Sequence, residues 1–436
     1  MNKILSLLFF FISCVSLCAQ PGGNEQSVFL QRSNAAAKSY RAQKTQEFGD
    51  FLRRNWTATA ESAPVEDPFR QGEAMRPFDE PTIPEDVPAE EDIIVSYDGL
   101  SNLALPSISE SDVAAAWNRL SSGASSLLQH CLAIRSRKKL GDWAYLQLVD
   151  SLSRSVYPHS ENERQLLFGF LMGKSGYKTR FGRSGDQLTC LYGTEQIIYA
   201  RPYFVKDGIS YYRHRPGEES LSISEPVPEG SRPLDLRLTS APNISSGPMQ
   251  ERHIKVGDIE FDFRIPQGLL EFYAGYPHTE MFVKADAPVS ASVRECVYPA
   301  LQSAIAGKGQ VDAANTILHF VQGLMDYQQD PKRWGYEKWS FPDESFYYLC
   351  GDCDDHAILF ARLAKDLLGL DVLLVECQVD GSPHASTAIR FTEPLEGDSI
   401  LYEGQTYYCC EPSSNVAKVG DRCWENYVVT RVDKVR

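Results

Sequence analysis

The stretch Leu349-Cys350-Gly351-Asp352-Cys353-Asp354-Asp355-His356-Ala357-Ile358-Leu359-Phe360-Ala361-Arg362-Leu363-Ala364 decides how this chain is read. Its second half has apolar residues at helical spacing, and its first half is polar, so Cys353 stands where a helix begins. First-turn N–H groups and the helix dipole favour an anion at such a position, and a thiol placed there can serve as a nucleophile. Three carboxylates flank it, at Asp352, Asp354 and Asp355. They suit a helix start but oppose formation of a thiolate. Downstream, His384 and Glu411 each lie beside a strand-like run. Thiol, imidazole and carboxylate in this order are the parts of a cysteine acyl-transfer site.

Periodicity extends outward from this block. Ala314 to Tyr327 reads as an amphipathic helix, Cys353 to Leu368 as a second that Gly369 ends, and four strand runs follow. These are Val372 to Gln378, His384 to Phe391, Ser399 to Glu403 and Thr406 to Cys410. The earlier half has the same order: helices over Trp143 to Tyr157 and Glu161 to Lys174, then strands over Gln187 to Tyr192, Gln196 to Phe204 and Ile209 to Arg213. Leu166-Leu167-Phe168 precedes Ile358-Leu359-Phe360 by 192 residues, and Asp207-Gly208-Ile209-Ser210-Tyr211-Tyr212 precedes Glu403-Gly404-Gln405-Thr406-Tyr407-Tyr408 by 196. These matches predict an internal duplication. Carried across, Glu161 holds the place of Cys353 and Arg215 that of Glu411, so the first copy is expected to be non-catalytic.

The residues Gly351-Asp352-Cys353, Pro383-His384-Ala385 and Glu411-Pro412-Ser413 resemble the transglutaminase-like superfamily, whose core is related to papain-type cysteine peptidases. The resemblance covers residues 290–436 well and 107–220 in outline. It implies an α+β, papain-like catalytic domain in which a helix-start Cys packs on an antiparallel sheet. It also implies that Cys353 attacks an amide carbonyl, that His384 moves the protons and that Glu411 orients the imidazole. Glu411 stands where the family usually has Asp, so the backbone there must retreat by the length of a methylene. A second oxyanion donor is expected from an aromatic or amide side chain upstream, with Trp334 and Trp339 as candidates.

The 436 residues divide into five expected segments. Residues 1–19 read as a signal peptide, with Lys3, an apolar run and Ala19 before a polar residue; lipidation at Cys14 is the alternative. Residues 20–106 read as one helix (Ser39 to Trp56) and a Pro- and acid-rich tether, 107–245 as the degenerate copy, 246–289 as a β-rich connector, and 290–436 as the catalytic domain. This places the protein outside the cytoplasm or in the periplasm, with envelope association through the N-terminal region as a variant. The net charge of −15 argues against nucleic acid as a partner. The expected partner is a peptide or protein amide substrate, and the pattern calls for no cofactor and no metal.

Rival readings remain open. Cys350-Gly351-Asp352-Cys353 is also a C-x-x-C at a helix start, as in thiol–disulfide oxidoreductases, although Phe341-Pro342-Asp343-Glu344-Ser345 interrupts the strand that fold needs. Cys350, Cys353, His356 and the Cys409-Cys410 pair could bind zinc, but adjacent strand residues point to opposite faces. His356 is an alternative base. Both copies could also be inactive binding modules.

Overall fold

The computed structural model describes residues 43, 48–49, 52, 56–69, 100, 103–215, 220–422 and 425–436. The signal-peptide and Cys14 expectations, and most of the expected Ser39–Trp56 helix, lie outside the described residues.

The chain alternates helical layers with two antiparallel sheets, an α+β arrangement. Strand β1 (Trp56–Ala60) comes first, followed by helices α1 (Glu110–Gly123), α2 (Ser125–Lys138), α3 (Asp142–Val156) and α4 (Glu161–Lys174). Helix α1 starts where the Ser109 hydroxyl accepts the Asp112 N–H, satisfying one otherwise orphaned donor. Strands β2 (Thr179–Ser184), β3 (Gln187–Thr194), β4 (Tyr203–Lys206), β5 (Ile209–Arg213) and β6 (Ser220–Ser224) then build a sheet ordered β1-β6-β2-β3-β5-β4. Ser62, just beyond β1, bridges Tyr203 on β4, so the two edges of this sheet meet.

A hairpin of β7 (Met249–Val256) and β8 (Ile259–Pro266) leads into α5 (Gln267–Ala274) and α6 (Met281–Ala285). The connector expected to be β-rich is therefore a hairpin followed by two helices. Gln267 to Ala274 is apolar on most positions, as a helix buried on several sides must be, and that composition resembles a buried strand.

The C-terminal unit contains α7 (Ala291–Ile305), α8 (Gln310–Leu324), β9 (Asp326–Tyr327), α9 (Asp330–Arg333), α10 (Pro342–Tyr348), β10 (Cys350–Gly351) and α11 (Cys353–Leu368). Strands β11 (Asp371–Val379), β12 (Ser382–Arg390), β13 (Ser399–Tyr402), β14 (Gln405–Cys410) and β15 (Tyr427–Lys434) follow, in the order β13-β14-β12-β11-β15. Helix α11 lies on this sheet with Ile358, Leu359, Phe360 and Leu363 wholly buried, each contributing about 1.5–3 kcal/mol relative to exposure. Gly369 ends the helix in the left-handed region, at φ 65°.

The two sheets share one connectivity. After its helix, each lays its first two strands as a hairpin, places the fourth strand beside the second, puts the third at the edge, and adds the last beside the first. Both β4–β5 and β13–β14 turn through two positive-φ residues, Asp207-Gly208 and Glu403-Gly404, as in the tightest hairpin turns. Glu161 is the first residue of α4, as Cys353 is of α11. Arg215 lies two residues beyond β5, and Glu411 directly follows β14.

Other local expectations shift. Gln196 to Phe204 is strand only from Tyr203. The Thr194 hydroxyl accepts the Gln196 N–H and Ala200 takes φ 57°, which together turn the chain out of the sheet. The helix expected to reach Tyr327 stops at Leu324, because Asp326–Tyr327 pairs in parallel with Cys350–Gly351. The segment expected to be a tether is in part packed: β1 joins the first sheet, Asp67 bonds His278 at 2.5 Å, and the Phe69 ring meets Trp339 edge-on. Aromatic anchors outweigh the surrounding prolines and acids there. One apolar core runs through both halves, from Phe48 to Val435.

Candidate functional site

Cys353 occupies the first turn of α11. Asp352 is the cap residue in extended geometry, and its side chain makes no capping hydrogen bond. Pairing of Cys350–Gly351 with Asp326–Tyr327 fixes the approach to the helix. Gly351 is required on steric grounds, since a Cβ there would lie 2.3 Å from an Asp355 carboxylate oxygen. The Ala385 backbone N–H donates to the Cys353 sulphur, which sets the thiol against β12 beside His384.

His384 is the third residue of β12 and pairs with Cys377 on β11. Its Nε2 and the Glu411 Oε2 are 2.9 Å apart. Glu411 is 1% exposed, and its second oxygen accepts from the Ser413 N–H at 3.2 Å and the Ser413 hydroxyl at 2.6 Å. Burial acts to raise the Glu411 carboxyl, but the His384 hydrogen bond and charge, with Ser413 and Ser386, outweigh it and hold it below its usual range. The longer side chain thus reaches the imidazole, and Gln322 fixes its backbone. From α8, the Gln322 Nε2 donates to the carbonyls of Glu411 and Ala417, each at 3.1 Å. Gln322 was not expected from sequence; a glutamine on the buried face of an apolar helix is the signal that would have found it.

The structure gives His356 a different task. Its Nδ1–H donates to the Asp352 carbonyl at 2.7 Å, and its ring stacks on Tyr327. Trp339 is 1% exposed, packed on Phe69, Tyr199 and His278, with its indole against the Glu337 carboxyl. Trp334 packs on Tyr348 under the cations of Arg333 and Lys338. The eight described cysteines, Cys350 and Cys353 among them, are all free thiols.

The thiol is not acidic in these surroundings. Burial, followed by Asp352, pushes it well above its ordinary value, with Glu411 and Glu337 adding to the shift. Cys353 is 6% exposed and His384 9%. The helix start therefore works against burial and against the carboxyl groups of Asp352, Glu411 and Glu337. Asp330, at the start of α9, is pushed up to about 10 by burial and by Asp355 and Asp352. Glu337 rises to about 9 through burial and Asp352, and Asp355 to about 7 through burial and Asp352, opposed by Ser340. Asp352 and Asp354 move in the same direction, burial leading in both. Sequence reasoning found the three flanking acids but not Asp330 and Glu337, which the 326–341 loop brings back over the helix start.

The corresponding end of the first sheet, where α4 begins and β5 ends, is also built from charge. Arg215 pairs with the wholly buried Asp150 at 2.9 Å and approaches Glu161 at 3.8 Å, and His214 stacks on Phe168. Glu161, Thr189, Arg213 and Arg215 line a cavity of about 550 Å³. Among the described residues, no helix is long and apolar enough to cross a membrane. Neither a protein-family model nor a curated protein matches this chain.

Proposed function

We propose that residues 290–436 form a transglutaminase-like cysteine enzyme that hydrolyses a peptide or other amide bond through a thioester on Cys353. The observation that carries this reading is the 2.9 Å His384–Glu411 hydrogen bond beside a helix-start thiol. With Nε2–H committed to a carboxylate, the imidazole is held in the tautomer that presents Nδ1 as the base. Cys353 gives its proton to His384 and its sulphur bonds the amide carbonyl carbon. The C–N bond then breaks as the imidazolium returns the proton to the leaving amine. Water, deprotonated by the same imidazole, attacks the thioester and releases the carboxylic acid with the thiol regenerated. The Cys353 N–H, at the positive end of α11, is the natural donor to the oxyanion.

Residues 107–245 are, on this reading, a decayed copy. The shared strand order and the paired Asp-Gly and Glu-Gly turns support it, and Glu161 with Arg215 in place of nucleophile and carboxylate leaves it without the chemistry. The leader-like residues 1–19 would put the activity outside the cytoplasm. A second reading, a non-catalytic binding module, is favoured by one observation: the thiol is 6% exposed and surrounded by carboxyl groups.

The test is to incubate the full chain with a mixed library of peptide amides, quench in acid and measure intact mass alongside released amine. An acyl adduct that maps to Cys353, lost in Cys353→Ala and strongly reduced in His384→Ala, is the expected result. Amine release that survives Cys353→Ala would overturn the mechanism. Peptide retention without adduct or release would establish the binding-module reading instead.

A further inference from the structure

We infer that the carboxyl groups of Asp330, Glu337 and Asp352 form a binding site for one hard divalent cation of the calcium class. Each offers one carboxylate oxygen, and the three oxygens lie within 4.8 Å of one another. All three residues are buried, and each keeps an oxygen without a hydrogen-bond partner: Asp330 Oδ1, Glu337 Oε2 and Asp352 Oδ1.

A further observation shows how strongly the cluster would gain from a positive charge. Asp354 is 1% exposed, neither of its carboxylate oxygens receives an N–H or hydroxyl, and one of them lies within 4.8 Å of an Asp352 oxygen, with which it shares a proton when no cation is bound. A buried carboxyl pair that only a shared proton answers is costly to ionise, and a cation or water between the two removes that cost. Among the described residues, the Lys338 ammonium beside this cluster is already engaged: its Nζ bonds Glu344 at 2.7 Å. Asp355 is satisfied separately, accepting the Ser340 N–H at 2.7 Å.

The donor set selects the class of ion. It is all oxygen and all carboxylate, which suits a hard cation, and no histidine belongs to it. The three ligands come from the start of α9, from the loop after it and from the cap of α11, an irregular set. Calcium accepts such irregular geometry at about 2.3–2.6 Å per oxygen, and three oxygens within 4.8 Å of one another can all reach one such ion; magnesium requires a nearly regular octahedron at about 2.0–2.1 Å. Cys353 lies next to Asp352, but a soft ion recruited to that sulphur would lack soft or imidazole ligands on its remaining sides. A bound cation would tie the 326–341 loop to the helix start. This inference does not depend on acyl transfer.

The experiment uses the full chain stripped with a chelator. Calcium is titrated in a calorimeter, with magnesium and zinc as separate arms, and terbium luminescence is excited through the neighbouring indoles. One calcium per chain, a rise in melting temperature on binding and at least tenfold weaker binding in Asp330→Asn and in Glu337→Gln are expected. Without metal, both variants should melt at or above the unsubstituted chain, because each replaces a buried carboxyl group that burial keeps from ionising by a neutral amide of the same shape; this separates loss of the site from loss of folding. Binding that prefers zinc, binding unchanged in both variants, or no binding by a folded chain at millimolar calcium would overturn the inference.

Discussion

Replacing Glu411 by Gln tests the centre of the proposed site, because the exchange keeps the shape and removes only the charge. The donors to the carboxylate include His384 Nε2–H at 2.9 Å, the Ser413 N–H at 3.2 Å and the Ser413 hydroxyl at 2.6 Å. A carboxamide has one accepting oxygen and one NH₂, so it cannot serve both sides. If its oxygen stays with Ser413, the NH₂ faces His384 and forces the proton onto Nδ1, where the base should be. If it turns round, two N–H groups meet at Ser413. Hydrogen bonds to charged groups contribute about 1.5–3 kcal/mol and a broken buried pair costs about 3–5, so a loss of about 2–4 kcal/mol in unfolding free energy is expected. Turnover should fall by about 10²–10⁴-fold, the range for a misdirected general base. Urea melts at pH 7 and amine release, measured on the same preparations, give both numbers. Glu411→Asp should also fail, since Gln322 holds the backbone and the shorter side chain falls short of His384 by roughly the 1.5 Å of one C–C bond. A Gln variant with wild-type midpoint and turnover within a factor of two would refute the reasoning.

Gly351→Ala should destabilise by about 1–3 kcal/mol, because the added carbon meets the Asp355 carboxylate at 2.3 Å and the first turn of α11 must move; a chemical melt at pH 7 reads it, and a neutral result would mean the turn is soft. Burial raises Glu376 from 4.5 to about 7, so the native state binds the extra proton between those values and stability falls as pH rises through that window. Glu376→Gln should therefore leave stability at pH 4 unchanged and add about 2–3 kcal/mol at pH 8, and an equal effect at both pH values would contradict the assignment. In a timed iodoacetamide pulse at pH 7 on chelated protein, the half-buried Cys296 and Cys350 should be alkylated before Cys353, which is 6% exposed. Peptide mapping reads the order, and Cys353 reacting first would show that the helix start is more open than its packing indicates.

The elements that were legible in the sequence are those whose pattern is local. Cys353 to Leu368 carries its own apolar stripe and its own glycine stop, and Glu161 to Lys174 is similar, so both helices have the bounds their spacing predicts. Asp207-Gly208 and Glu403-Gly404 are turn signals whose meaning depends on two residues. Elements without a local signature were missed. Strand β15 is an edge strand with no fully buried residue, so its alternation is faint, and α7 carries Pro299 inside it. Phe69 and Asp67 sit in a segment whose composition suggests a tether, yet two side chains suffice to anchor it on Trp339 and His278. Anchoring by single contacts leaves no periodic trace.

The candidate site divides along the same line. The thiol and imidazole are legible because each sits at a position whose geometry sequence can specify, a helix start and an early strand residue. Glu411 could be picked out by its place after a strand, and the structure adds why a longer acid fits: Gln322, 89 residues away, holds its backbone. The electrostatics of the thiol were not legible. Asp352, Asp354 and Asp355 are adjacent in the chain, but Asp330 and Glu337 reach them only because Asp326–Tyr327 pairs with Cys350–Gly351 and returns the loop to the helix start. That two-residue pairing turns an ordinary acidic helix cap into a buried cluster, and burial, followed by Asp352, outweighs the helix dipole at the thiol. A sequence window around Cys353 favours an activated nucleophile. The folded neighbourhood instead describes a thiol raised first by burial and then by Asp352, so whatever opens the helix start and neutralises Asp352 sets when Cys353 can react.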